Sequence, residues 1–293
     1  MRPSTLAADA ERRHIRGMPD ALPVFARLHR RALVSVAGPD WRSFLQGLIT
    51  QDVESLAGDE LRYGALLTPQ GRLLYDLFLV GGADGVLLDV DAHGREGLIQ
   101  RLSMYRLRAK VSVERAEGGV FALWNTARPG EPWRGDPRLP ALGFRAYALE
   151  APALDAVAAD EDAFDAHRLA LGVPDPPRDC RGDADFPIEA NLDLLNGIDF
   201  RKGCFVGQET TSRMKRRGQI KSRMVPLAID GAAPPAGAEV LAGGALRAGE
   251  VRSGRAGRVM ALLRLDRARE AELTIDGGPA RLDPPEWMGL PES

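Results

Sequence analysis

The sequence predicts an α+β protein built mostly from antiparallel strands and followed by a small β-barrel. Strand-like runs at 61–68 and 72–80 flank residues 68–71 (TPQG), whose proline and glycine suit a tight hairpin turn. Few helical patterns separate the strands, which disfavours a parallel, doubly wound sheet. From about residue 218, short β-like runs alternate with glycine- and proline-rich turns, a texture typical of a small barrel or sandwich.

The periodicity of apolar residues predicts the other elements in order. We expect further strands at 33–36, 85–90, 110–115, 119–124 and 143–149, and in the C-terminal part at 220–229, 238–241, 249–252, 257–265 and 272–275. We expect helices at 41–48, 95–107 and 163–171, the first with Asp40 as its N-cap. The segments 125–140 and 172–185 are rich in proline or glycine and are predicted as connections.

The chain of 293 residues is long enough for two or three compact units. We predict a flexible tail at 1–20, an α+β region at 21–212 with an inserted subdomain at about 51–111, and the barrel at 213–293. Hydrophobic and charged contents of 44% and 27% are those of an ordinary soluble globular protein. No apolar run of about 18 residues occurs, so no membrane span or membrane partner is expected. The net charge of -2 provides no general attraction to nucleic acid.

The two cysteines, Cys180 and Cys204, are too few for a disulfide framework and fit a reducing compartment. They are also too few for a self-contained iron–sulfur cluster, which usually takes four thiolates. The four histidines have no metal-site spacing, so no resident metal is predicted. Acidic residues near the N-terminus argue against a mitochondrial presequence, and arginine far outnumbers lysine. We therefore expect a bacterial cytoplasmic protein, with the mitochondrial matrix as the alternative for a eukaryotic source.

Residues 202–209 (KGCFVGQE) concentrate more chemistry than any other segment. Two glycines four apart permit backbone conformations that other residues resist. Cys204 follows Arg201 and Lys202, and such an electropositive setting favours a thiolate. The expected roles of this thiol are nucleophile, redox group or transient ligand of iron or of a cluster. The sequence leaves the choice among them open.

This run, together with 187–192 (PIEANL) and 195–198 (LNGI), closely resembles the signature of the YgfZ-type folate-binding proteins. Segments 44–53 and 67–72 resemble the amino-terminal half of the same family, so the resemblance covers about 31–267. The family is related to the glycine-cleavage T-protein, an aminomethyltransferase, and includes mitochondrial iron–sulfur-cluster assembly factors. It implies a T-protein-like fold, with two interleaved antiparallel α+β subdomains and a C-terminal small β-barrel around a central cavity.

The resemblance also implies bound tetrahydrofolate, held without a covalent bond. Glu189 matches a T-protein glutamate that contacts the pterin. One carboxylate can accept hydrogen bonds from the adjacent N–H groups of a pterin ring. Asp76 roughly matches the T-protein aspartate that serves folate chemistry. The T-proteins carry two adjacent acids where this chain has Tyr75 and Asp76, and usually glycine where it has Asn191. The alternatives are a surface position for Glu189 and an exposed strand position for Asp76.

The remaining motif residues have two readings each. Lys202 is expected to lower the pKa of the neighbouring thiol or to pair with an anionic ligand. Glu209 is expected to orient either group, or only to carry charge on the first turn of the next helix. Gln208 is expected to bond a ligand or to be solvated. Gly203 and Gly207 are predicted to meet backbone requirements rather than to bind a ligand.

A basic run follows the motif. It comprises Arg213, Lys215, Arg216, Arg217, Lys221 and Arg223. It suits the glutamate tail of folate, the acidic face of a partner, RNA phosphates, or simply a solvated surface. No aromatic residue occurs from 210 to 230, which counts against stacking on single-stranded RNA.

The function implied by the resemblance is that of an accessory factor rather than an enzyme. We expect it to bind tetrahydrofolate and to act through Cys204 in the assembly, insertion or repair of [4Fe–4S] clusters. The expected partners of this monomer are iron–sulfur carrier proteins and [4Fe–4S] recipient enzymes, including enzymes that modify tRNA, without direct nucleic-acid binding. The alternative is a folate-dependent aminomethyl or methylene transferase of the T-protein type. The cysteine and the missing second acid at Tyr75 count against that alternative.

Overall fold

The computed structural model describes residues 22–127, 129–216, 220–269 and 271–290. The predicted tail at 1–20 and Arg217 of the basic run lie outside the described residues. In chain order the strands are β1 Val24–Arg27, β2 Arg31–Ala37, β3 Leu61–Leu67, β4 Leu73–Gly81, β5 Gly85–Asp91, β6 Ser112–Ala116, β7 Gly119–Trp124, β8 Arg134–Gly135, β9 Phe144–Ala148, β10 Val157–Ala159, β11 Ser222–Ile229, β12 Glu239–Ala242, β13 Leu246–Arg255, β14 Arg258–Arg264, β15 Leu273–Ile275 and β16 Gly278–Leu282. The α-helices are α1 Trp41–Gln46, α2 Arg95–Arg106, α3 Glu161–Ala170, α4 Pro176–Asp179, α5 Gln208–Arg216 and α6 Leu265–Ala268.

Two five-stranded sheets interleave along the chain before the barrel begins. One sheet has the order β10-β1-β7-β9-β8 and the other β3-β4-β5-β2-β6. The chain enters the first sheet at β1, builds the whole second sheet with β2 to β6, and then returns to the first. Strand pairs in both sheets are antiparallel except β1 with β10, which is parallel. The predicted pair of interleaved α+β subdomains is confirmed.

The second sheet is covered on both faces, because successive side chains of a strand point to opposite sides. Leu77 and Leu79 of β4 join the core formed with α1 and α2, whereas Phe78 between them joins a core with Ile188 and Met224. The sheet therefore lies between its own helices on one side and the 186–205 segment with the barrel on the other. This arrangement brings the cysteine motif against the sheet.

The C-terminal part is a closed barrel, as predicted, with the order β11-β14-β13-β12-β15-β16 and β16 paired back to β11. The sequence did not predict β1, β8, β10, β16 or the single turn α6, all of five residues or fewer. The domain limits stay predictions. The predicted limit at 212/213 falls within α5, and the sheet that contains 51–111 also includes β2 and β6.

Local predictions differ from the structure in detail. Asp40 occupies the N-cap position of α1 as predicted, but its side chain does not bond the helix; its carboxylate accepts the backbone N–H of Lys110 at 2.7 Å, and the helix ends at Gln46 rather than at 48. The 172–185 connection contains α4, and the 125–140 connection contains β8. None of the helices in the described part of the chain combines the length and the apolar character needed to cross a membrane.

Candidate functional site

Cys204 is exposed on the short loop that leads into α5. The loop is tied down next to the thiol. The side chain of Phe205 is buried, and its N–H donates to Gln208 Oε1 at 3.3 Å. The N–H of Val206 donates to the carbonyl oxygen of Gly47 at 3.1 Å, just after α1. The structure therefore presents an accessible thiol on a loop with a defined path.

Lys202 is the main anchor of this loop. Its Nζ donates to the carbonyl oxygens of Gln46 at 2.8 Å, Ile49 at 2.6 Å and Gln51 at 2.8 Å. Burial lowers the pKa of Lys202 to about 8, so the amine is still mainly protonated at pH 7 with three N–H donors. The two predicted roles of Lys202, lowering the pKa of the Cys204 thiol and pairing with an anionic ligand, need correction, because its ammonium binds these three carbonyl oxygens. The ammonium joins the motif to the end of α1, where carbonyl groups lack helical partners.

The two glycines of the motif differ in their surroundings. Gly207 has φ +82°, and a Cβ there would lie 2.6 Å from Thr68 O and 2.9 Å from the Cα of Gly71. Gly71 in turn has φ +83° and lies against the Gly207 carbonyl. The 68–71 turn and the motif therefore meet backbone to backbone. A Cβ on Gly203 would meet nothing within 4 Å, so the predicted backbone requirement is observed for Gly207 alone.

A third segment joins the same meeting point. Thr50 Oγ1 accepts the N–H of Ala65 at 2.8 Å and donates to the carbonyl oxygen of Gly197 at 2.6 Å. Gln51 Nε2 donates to the carbonyl oxygen of Asn196 at 2.8 Å. Three stretches that carry the family resemblance, around 44–53, 67–72 and 195–209, thus form one contact region.

Asp76 lies inside the protein, so an exposed strand position is wrong. Arg31 Nη1 donates to both carboxylate oxygens of Asp76, at 3.1 and 3.2 Å. Arg31 Nε also bonds Asp89 at 2.6 Å, and Arg145 Nη2 bonds the other oxygen of Asp89 at 2.8 Å. Burial raises the pKa of Asp76. Burial also opposes ionisation of Asp89, yet Arg31 and Arg145 hold the pKa of Asp89 below its ordinary value.

The same network surrounds an aromatic ring. Arg138 pairs with Asp136 at 2.8 Å, and both are buried. The guanidinium carbons of Arg31, Arg138 and Arg145 lie 5.4, 4.9 and 3.8 Å from the centroid of Phe78. Sequence reasoning missed this network. The available signal was a single charge in each of several apolar strands, which is costly when buried unless it is paired.

Two cavities adjoin the network. The larger, of about 370 Å³, is lined by Leu28, Arg30, Arg31, Phe78, Asp91, His93, Arg138, Arg145, Glu161, Phe164, Asp165, Arg168, Asp175, Pro177 and Arg178. The smaller, of about 180 Å³, is lined in part by Asp76 and Cys180. Burial raises the pKa of the Cys180 thiol well above its ordinary value. Cys180 therefore differs sharply from the exposed Cys204.

Glu189 is not brought to these cavities. Its Oε2 accepts the N–H of Phe186 at 2.9 Å, within its own turn, and burial raises its pKa. The charges that act on Glu189 are those of Asp185, Arg72 and Arg252. None of these acts on Asp76, whose charged neighbours are Arg31, Asp175 and Asp89. The structure does not join the two predicted pterin acceptors in one site.

The rest of the motif forms a surface. Gln208 and Glu209 line a groove along α5 together with Phe200, Ser212, Lys215 and Arg216. Glu209 is exposed in the first turn of α5, which agrees with the alternative that it only carries charge at the start of this helix. Within the described ranges, no group of three or more His, Cys, Asp or Glu side chains is arranged to hold a metal ion.

Comparison with known proteins identifies the family. Residues 221–290 match the family described as CAF17, C-terminal beta-barrel domain. The chain is 33% identical over 271 residues to the human mitochondrial iron–sulfur cluster assembly factor IBA57, covering 81% of this chain and 76% of that protein. The chain belongs to the IBA57 family. The mouse IBA57 is 35% identical over 243 residues, with 72% of this chain and 68% of the mouse protein covered.

The fungal IBA57 homologues are longer. The one from Neurospora crassa is 33% identical over 239 residues, which is 71% of this chain but only 54% of that protein. The chain thus spans about half the length of this relative. Among solved structures, the glycine cleavage system aminomethyltransferase T from Bartonella henselae superposes with a TM-score of 0.72 over 89% of this chain and 84% of that one, at 21% identity. The T-protein-like fold predicted for this IBA57 family member is confirmed.

Proposed function

We propose that this IBA57 family member is an accessory factor for the assembly, insertion or repair of [4Fe–4S] clusters, and that it acts through Cys204. The observation that carries the proposal is the exposed thiol on a loop fixed by Lys202 and by Gly207. The names of the human and mouse relatives support the general role, since both are iron–sulfur cluster assembly factors. Their mitochondrial location supports the matrix alternative, and the bacterial cytoplasm stays a prediction.

Cys204 suits a transient contact better than permanent storage of a cluster. Thiolates are the usual ligands of iron–sulfur clusters, and four are generally required. The described residues supply one exposed cysteine, Cys204, and one half-buried cysteine, Cys180. A partner therefore contributes the remaining ligands. The partners we propose are iron–sulfur carrier proteins and [4Fe–4S] recipient enzymes, among them enzymes that modify tRNA.

The test is complementation in cells that lack the gene. Wild-type protein should restore the specific activity of a [4Fe–4S] enzyme, and Cys204→Ala should leave that activity at the level of the empty vector. Cys180→Ala is the matched control, because it removes a thiol that is not exposed. Rescue by Cys204→Ala would make the thiol dispensable. Unchanged enzyme activity in the deletion strain would refute the assembly role itself.

We further propose that tetrahydrofolate occupies the cavity of about 370 Å³, a volume within the usual range for small-molecule sites. Phe164 contributes an apolar wall of this cavity, and Glu161 and Asp175 offer acceptors to pterin N–H groups. Arg30 suits a carboxylate of the glutamate tail. Bound folate would supply a one-carbon carrier or a redox-active pterin. Asp76 acts there through Arg31, which lines the cavity and bonds its carboxylate.

Equilibrium dialysis with tetrahydrofolate tests this assignment. Arg30→Gln should weaken binding roughly tenfold, because hydrogen bonds to charged groups are worth about 1.5–3 kcal/mol. The Arg30 side chain is 48% exposed, so the variant should fold. Glu189→Gln should leave the affinity unchanged. The opposite pattern, with binding lost in Glu189→Gln alone, would move the pterin to the glutamate that the family resemblance implies.

The transferase alternative is the weaker one. The aminomethyltransferase from Bartonella henselae shares the fold at 21% identity, and that likeness concerns the fold alone. Tyr75 stands where the T-proteins carry a second acid, and Asp76 is already held by Arg31. No observation on the described residues favours methylene transfer over a role for Cys204.

A further inference from the structure

A groove of about 580 Å³ runs along α5 and begins beside the Cys204 loop. It is lined by Phe200, Gln208, Glu209, Ser212, Lys215 and Arg216. Gln208, at the start of α5, follows Cys204 by four residues, and four residues of chain span at most about 14 Å, so Cys204 lies within that distance of this end of the groove. The Phe200 ring lies further along the groove, with its centroid 5.5 Å from Lys215 Nζ.

The other end of the groove is basic. Lys215 lies 3.1 Å from Asp193, whose carboxylate is already held by Arg223 at 2.8 Å. Arg216 lines the groove, and Arg213 lies beside it on α5 without lining the groove; both are exposed, and neither forms an ion pair with a carboxylate of the described residues. Glu209 is the one acidic side chain among the lining residues. The groove therefore has unneutralised positive charge at its far end, and the loop that carries the exposed Cys204 leads into its near end.

We infer that this groove receives an acidic, extended segment of a partner protein and delivers the partner's own thiol to Cys204. The inference rests on the proposed function and names the surface through which it operates. The nine residues of α5 span about 13 Å, which matches about four residues of extended chain. A protein segment fits better than RNA, because Phe200 is the one aromatic side chain among the lining residues and strand-binding grooves stack successive bases.

Thiol–disulfide exchange measures this docking directly and without iron. The probe is a six-residue peptide rich in glutamate whose cysteine is joined as a mixed disulfide to 2-nitro-5-thiobenzoate. The Cys204 thiolate attacks the peptide sulfur, a protein–peptide disulfide forms, and the coloured thiobenzoate thiolate leaves with the electron pair. The rate is compared with that of a peptide in which glutamine replaces every glutamate. Cys204→Ser should abolish the release, since the half-buried Cys180 has a thiol pKa raised by desolvation.

The acidic peptide should react about tenfold faster than the neutral peptide at low ionic strength, because matched charge raises association rates. The advantage should fade at high salt. The double variant Arg213→Glu, Arg216→Glu should reduce the ratio to about one. The matched control Arg108→Glu, Lys110→Glu makes the same charge change at exposed positions after α2 and should keep the ratio.

Three outcomes would overturn the inference. They are a ratio near one in the wild type, an equal loss in both double variants, and stronger inhibition of the exchange by single-stranded oligouridine than by the acidic peptide. Because no cluster takes part, failure of this test leaves the complementation result standing. Failure of complementation likewise leaves the docking result standing, so the two proposals fall separately.

Discussion

Replacing Gly207 by alanine should destabilise the protein by roughly 2–5 kcal/mol. The residue has φ +82°, which costs an L-residue about 1–2 kcal/mol. The new Cβ would also lie 2.6 Å from the carbonyl oxygen of Thr68 and 2.9 Å from the Cα of Gly71. Both are backbone atoms of a turn that cannot move aside as a flexible side chain would. Overpacking of this kind costs about 1–3 kcal/mol in addition.

The measurement is urea unfolding of the purified variant, with the midpoint compared at an unchanged slope. Gly203→Ala is the matched control, four residues earlier in the same loop, where a Cβ meets nothing within 4 Å. The control should unfold at nearly the wild-type midpoint. Equal midpoints for the two variants would mean that the contact between Gly207 and the 68–71 turn does not limit stability. Because Gly207 belongs to the loop that carries Cys204, Gly207→Ala should also weaken complementation.

The second large effect is expected at Lys202. Lys202→Met should destabilise the protein by about 3 kcal/mol, because it removes a partly buried ammonium from the carbonyl oxygens of Gln46, Ile49 and Gln51. Each buried acceptor left without a donor costs about 1–3 kcal/mol, and water can reach part of this site. Methionine keeps a flexible apolar stem, so the loss reports the ammonium rather than the packing.

Thermal or urea unfolding measures the stability, and the reaction of Cys204 with an uncharged aromatic disulfide measures the loop. We expect the thiol of Lys202→Met to react at an altered rate and complementation to fall, although Cys204 itself is intact. Lys202→Arg should rescue neither, because a planar guanidinium cannot reach three converging carbonyls as an ammonium does. Lys110→Met, at an exposed position, is the control. Wild-type stability in Lys202→Met would show that the carbonyls are satisfied without the lysine.

Much of the fold is readable from local signals. Proline and glycine at 68–71 and the apolar runs around them predict the β3–β4 hairpin, which the structure has at Leu61–Leu67 and Leu73–Gly81. Alternation and turn chemistry likewise predict the C-terminal barrel. The elements that were missed, such as β1 and β10, are short strands at or near the edge of one sheet, and their sequences carry little periodicity.

The candidate site divides in the same way. The sequence by itself determined which residues are special, because Cys204 between two glycines and the lone charge of Asp76 in an apolar strand are visible without coordinates. Only the tertiary structure decided what each does. Lys202 reaches carbonyl groups of a distant segment, Asp76 is covered by Arg31, and Glu189 bonds its own turn. The physical reason is that the spacing of residues along the chain determines local secondary structure and the face on which each side chain lies. Burial and hydrogen-bond partners depend instead on which distant segments pack together.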